Sequence, residues 1–210
     1  MPSKLEGLFK TLAWSDFQKK SFTPQPGVVA HLAATAVTIV PTLPNPTIIP
    51  VPGKKNAYQL SDNVVIKITF SASQSWVADW VFTQPKTYQD NLLKHEQGHY
   101  DLTALLARDL FVDLMLLKSQ TFTSAGEGIN AIKAILAPFQ TVPSIAQKVT
   151  DKYDDKSQTH NGTDQAAQAK WDGYIKKAFS DPRNPPTSSP DGTAHKVRIV
   201  DVLKSAGITL

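Results

Sequence analysis

Two histidines and a glutamate fall within five consecutive positions of "NLLKHEQGHYDLTALLARDL", residues 91–110, an otherwise leucine-rich run. On an α-helix, positions four apart share a face about 6 Å from one another, so the imidazoles of His95 and His99 can converge on one ion. Glu96 is turned about 100° from His95, where its carboxylate reaches a water held by that ion without having to ligate it. This is the arrangement of zinc-dependent hydrolysis, in which the ion polarises a water and a carbonyl and the carboxylate takes the water's proton. The plainer alternative is a pair of core histidines satisfied by carbonyls, or a pH-sensitive contact. Burying three titratable groups without an organising ion costs on the order of several kcal/mol, which favours the metal. Gly98, inside the motif, costs about 1 kcal/mol against Ala in a helix. It is explained either by a strand or substrate that a side chain would crowd or by close helix packing.

Two imidazoles need a third protein ligand. The helix itself offers none: Leu102 and Leu105 occupy the positions where a second glycine and a third histidine would extend the motif. Asp101 lies about 200° round from His99, and Asp109 shares the right face but sits about 15 Å along the axis. The third ligand therefore comes from elsewhere. The candidates are His160 in the polar stretch "YDDKSQTHNGTDQ", Glu127 in "SAGEGIN", and the Asp154/Asp155 pair beside Tyr153. Imidazole binds zinc well when neutral, and a loop just before a helix can aim it, which favours His160. Tyr153, seven residues earlier, either donates to a developing oxyanion or packs the loop down.

These groups must be positioned by the elements around them. The leucine pattern predicts one long helix from about Thr87 to Lys118. Before it, "VVAHLAATAVTIV" (28–40) reads as a strand, and the alternation Val64, Ile66, Ile68, Phe70 as a half-buried strand. The proline-dense "PTLPNPTIIPVPG" between them reads as an extended edge or surface loop. After it, helices are expected around 127–137 and 143–152, and from a Thr163 N-cap to about Phe179. "DPRNPPTSSPDGT" has linker composition, and the tail "HKVRIVDVLKSAGITL" reads as a strand or short helix. Strands first and helices later predict an α+β fold, with residues 1–180 as the hydrolase domain and 181–210 as a linker and extension packed on or near it.

Composition excludes other classes. A chain of 210 residues, 41% hydrophobic, buries a sizeable core. The net charge of +4 arises from scattered lysines with few arginines, a solvated surface rather than a nucleic-acid stripe. With no cysteine, disulfides and thiolate metal sites are impossible. No apolar run is long enough to span a bilayer. Oligomeric state is not legible. The amino terminus lacks a signal-peptide pattern, so the expectation is either a cytoplasmic protein or a chain that begins after a removed leader.

Trp14, Asp16 and Phe17 in "LAWSDFQ", the "AAT" that follows, Trp76, the run His95–Asp101, and Tyr153, Asp154, Thr159, His160, Gly162, Gln168 and Trp171 together resemble an uncharacterised bacterial family of secreted, zinc-dependent proteases. The resemblance covers about residues 12 to 175. Asn161 departs from it, standing between His160 and Gly162 where the family more often runs His-Gly. The resemblance implies a zincin-like fold, export to the periplasm or beyond, and a peptide or protein substrate. It also implies a Zn2+ ion on His95, His99 and His160, with Glu96 as general base. The competing expectation is a non-catalytic binding or scaffold module with a structural metal site.

Overall fold

Residues 102–112 are apolar on almost every side of a helix, and a helix of that kind must be buried all round. The structure, a computed structural model, describes residues 2–22, 24, 31–180 and 197–210. Among these residues eight strands come in the order β1 (Lys4–Glu6), β2 (Gln18–Lys20), β3 (Ala33–Ala34), β4 (Val37–Thr42), β5 (Ile48–Pro50), β6 (Tyr58–Leu60), β7 (Val65–Phe70) and β8 (Trp76–Ala78). Among the described residues five α-helices follow: α1 (Lys86–Lys118), α2 (Ala125–Gln140), α3 (Ile145–Asp154), α4 (Gln165–Phe179) and α5 (Ile199–Ser205). The fold is α+β. Every residue from Leu102 to Val112 is buried, because α1 is a wall between two cores. Ala104, Ala107, Leu110 and Phe111 face the strands and α2. Leu102, Leu105 and Leu106 face Val149 and Tyr153 of α3, Trp171 and Ile175 of α4, and Leu203 of α5.

The strands form two three-stranded sheets, ordered β1-β7-β4 and β2-β8-β3, and a β5-β6 hairpin. Both three-stranded sheets share one layout: a parallel partner on one side of the central strand and an antiparallel one on the other. Three segments of chain thus build both, each interrupted midway. The stretch expected as one strand over 28–40 is accordingly split into β3 and β4 at Thr35–Ala36, while residues 28–30 lie outside the described residues. The break is held by hydrogen bonds from the Ala36 amide to Ser75 Oγ and from the Ser71 amide to the Ala36 carbonyl, both 2.9 Å. The expected half-buried strand is β7, with Ile66 and Ile68 inward and Lys67 outward. Pro41 falls on β4, an outer strand of its sheet, where a missing amide donor is tolerated.

α4 is capped one residue later than expected, by Asp164, whose carboxylate accepts from the Ala167 amide at 2.9 Å. The expected linker, 181–193, lies outside the described residues. The tail is helical and docks on α1 and α4 through Ile199, Val202 and Leu203. A buried ion pair holds it there. The Arg108 guanidinium, fully buried, donates to Asp109 Oδ1 and to the carbonyls of Ala178 and Val197, each at 2.7 Å. Asp109 Oδ2 accepts from the Ile199 amide at 3.0 Å. Among the described residues, no helix is long and apolar enough to cross a membrane.

Removing one member of such a pair strands the other charge in the core. We expect Arg108→Ala to lower the unfolding free energy by about 3–5 kcal/mol in urea denaturation. A loss below about 0.5 kcal/mol, the level of a surface change, would show that the pair does not secure the tail.

Candidate metal centre

His95, His99, Leu102 and Leu106 follow one stripe of α1 at helical spacing. The lower part of that stripe is apolar and packs on α3, α4 and α5. The two imidazoles therefore look toward α3 and α4, and the third group must come from there. It comes from the last residue of α3. Asp154 Oδ1 lies 3.0 Å from both His95 Nε2 and His99 Nε2. These three side chains offer ligand atoms within 4.8 Å of one another and could hold a metal ion. Around a tetrahedral ion with bonds of about 2.0–2.1 Å, ligand atoms sit about 3.3 Å apart, a little more than the 3.0 Å from Asp154 to each imidazole and less than the 4.8 Å within which the group's ligand atoms lie.

Asp154 takes the place expected for His160, which is not among the converging groups. The reason is the turn after α3. His160, Asn161 and Gly162 all adopt positive φ (50°, 52° and 76°) and wind the chain back tightly. The His160 amide donates to the Asp155 carbonyl, and its own carbonyl accepts from Thr163. The turn thereby brings Gly162, not His160, against the His95 ring: a Cβ at Gly162 would lie 2.7 Å from His95 Cγ. Glu127 is engaged at the start of α2, accepting from the Thr123 amide and hydroxyl at 2.7 Å. Asp155 accepts from the Ser157 amide at 2.7 Å and shapes the turn.

Tyr153 has the packing role of the two considered. It is fully buried, stacks on His95 with ring centroids 4.6 Å apart, and meets His99 edge-on. Its hydroxyl donates to the His95 carbonyl at 3.3 Å and accepts from Gln168 Nε2 at 2.6 Å, so it is engaged inward. Burial pushes the phenol pKa well above its ordinary value, outweighing the Gln168 hydrogen bond that lowers it. Gly98 exists for this ring. A Cβ there would come within 2.7 Å of Tyr153 Cζ, so close packing against α3 is the explanation of that glycine.

Gln168 of α4 completes the inner side of the centre. Its buried amide oxygen lies 3.1 Å from His95 Nδ1. With a proton on Nδ1, that contact leaves His95 Nε2 to a ligand, the usual way an outer partner selects the tautomer. On the outer side, Glu96 is 2% exposed. Its carboxylate accepts from Thr35 Oγ1 at 2.6 Å, from the break between β3 and β4. Thr35 and Gln168 were not singled out from chemistry. Their one signal was their place in the resemblance, as the threonine of "AAT" and the glutamine before Trp171. The middle of HEQGH is structural too, since Gln97 accepts from the Leu12 amide and donates to the Lys10 carbonyl, tying the amino-terminal segment to α1.

His95, Glu96, His99 and Asp154 open into a cleft of about 510 Å³. Its walls are the stretch 31–38 on one side and Gln147, Thr150, Asp151 and Asp154, one face of α3, on the other. Burial acts to raise the Asp154 pKa, but its hydrogen bonds with His95 and His99 prevail and hold the carboxyl below the usual range. For His99 burial acts downward, and the Asp154 hydrogen bond with the charges of Asp154, Glu96 and Asp151 raises it overall. No family model matches the chain, and no curated protein or solved structure matches it either.

Two outcomes are expected. Asp154→Ala should weaken zinc binding by orders of magnitude, while His160→Ala leaves it within about twofold, measured by chelator competition on folded protein. Because a ligand must shed its proton, and His99 is raised above 6.5, affinity should begin to fall as pH drops through a value above 6.5. Below that value the slope should reach about tenfold per unit for one proton displaced. Affinity unchanged between pH 8 and pH 6 would contradict this.

Proposed function

We propose that this chain is a metal-dependent hydrolase, a zinc metallopeptidase in which His95, His99 and Asp154 hold the ion and Glu96 is the general base. The observation that carries the reading is Glu96: a buried carboxylate, beside the ligand group yet outside it, facing a cleft and steadied by Thr35. A base for a bound water requires that combination. Three protein ligands among the described residues also favour catalysis, since structural zinc sites close all four positions and prefer cysteine. The resemblance around HEQGH supports a zincin-like site on the same residues. The carboxylate ligand is Asp154, where that resemblance implied His160.

A bound divalent ion supplies a polarised water and a polarised substrate carbonyl. Glu96 accepts the proton of the attacking water and returns it to the leaving nitrogen as the carbon–nitrogen bond breaks. Gln168 keeps His95 in one tautomer, and Tyr153 with Gly162 fixes the plane of its ring. A peptide substrate is favoured by the wall at 31–38. Eight consecutive residues line the cleft there. β3 and β4 are outer strands of their sheets, and such an edge is the surface with which a strand-like ligand pairs.

Glu96→Gln should abolish peptide hydrolysis, with kcat reduced by about 10²–10⁴ or more, while metal content stays at one ion per chain. Casein or peptide-library cleavage with elemental analysis in parallel is the measurement. Undiminished cleavage by the variant would remove Glu96 from the chemistry. A wild-type protein that binds zinc but cleaves nothing would return the site to a structural role.

A further inference from the structure

A second cavity of about 310 Å³ adjoins the cleft, between β4, α1 and the end of α2. Val37, Thr38, Thr103, Ser144 and Ala146 line both spaces, so the two adjoin across these residues. Beyond this mouth the walls are Ile39, Pro41, Leu110, Leu136, Phe139 and the chain of Gln140. At the mouth the Thr103 hydroxyl donates to the His99 carbonyl at 2.9 Å and the Ser144 hydroxyl accepts from the Gln147 amide at 3.2 Å, while Thr38 adds a further hydroxyl. The recess lies at the seam of the two cores, where Ile39 and Phe139 pack against both.

Resting on the hydrolase reading above, we propose that this recess selects substrates carrying a bulky apolar side chain, of the leucine or phenylalanine kind, beside the bond attacked. Position decides the register. Thr103 is one turn beyond His99, about 6 Å along α1, which is the reach of a side chain borne by the residue next to a carbonyl at the metal. Size and lining decide the chemistry. The space equals about ten waters at 30 Å³ each, and apolar walls give such waters few partners, so displacing them with an apolar group is favourable. A third cavity, lined by Tyr88, Asn91, Leu92, Asn161, Thr163 and Gln165 among others, meets the cleft at Leu92 and Asn161 and mixes apolar with amide side chains. The cluster of Ile39, Leu110, Leu136 and Phe139 places the apolar demand at the β4–α2 end.

Zinc-loaded protein is titrated with acetohydroxamic acid and with 3-phenylpropanohydroxamic acid, which share the chelating group and differ in the apolar arm. The phenyl compound should bind at least about tenfold more tightly. In Ala146→Leu, which fills the shared mouth, that ratio should fall to near one. Equal affinities in the wild type, or a ratio unchanged in a folded Ala146→Leu protein, would overturn the recess as a specificity site and leave the metal centre standing. Binding of neither compound would remove the metal reading, and this inference with it.

Discussion

One carboxylate shared by two imidazoles is the constraint around which the rest is arranged. Asp154 is ionised, partly withdrawn from water, and placed 3.0 Å from two ring nitrogens on another helix. A charge in that position must be compensated by a proton on His99 or by a cation among the three. Either way, α3 must end at that point and dock on α1 closely enough for the contact. Val149 and Tyr153 anchor it from below, and Gly98 is the notch that lets the tyrosine ring approach. The turn at 160–162 then closes over His95 with a glycine because a side chain has no room.

The same helix serves two cores, and this determines which residues of HEQGH do what. His95 and His99 continue the face that meets the later helices. Gln97 and Tyr100 turn toward the amino-terminal segment, where Tyr100 donates to the Gly7 carbonyl at 2.5 Å and burial pushes its phenol up to about 12. Glu96 points between these directions, toward the rim formed by the break in the sheets. Chemistry and packing thus alternate along five residues because the helix rotates each one toward a different neighbour. Lose the docking on either side and the ligand geometry goes with it.

The rim depends on the interrupted strands. An unbroken strand over 33–42 would turn alternate side chains away from the cleft and would have no place for Thr35 to reach Glu96. At the break, Thr35 donates its hydroxyl to Glu96, while Ser75 Oγ and the Ser71 amide take up the backbone groups of Ala36. Farther along, β4 resumes and forms one wall of the apolar recess, so the same segment borders the cleft and the recess.

What the sequence alone determined was local. The spacing of His95, Glu96 and His99, the leucine stripe beneath them, the alternation along β7 and the breaks at glycine and proline are short-range periodicities. They placed the long helix to within a residue of its start and the α+β order of elements. The third member of the cluster was not of this kind. Asp154, Asp155, Glu127 and His160 were chemically admissible, and choosing among them required knowing where α3 ends relative to α1 and that three left-handed residues turn His160 aside. Tyr153 likewise could be donor or packing from its type, and only the stacking on His95 decided it. Thr35 and Gln168 reach the centre from 61 and 73 residues away along the chain. No period links residues so distant; the packing of α3, α4 and the broken sheets around α1 is what brings them together.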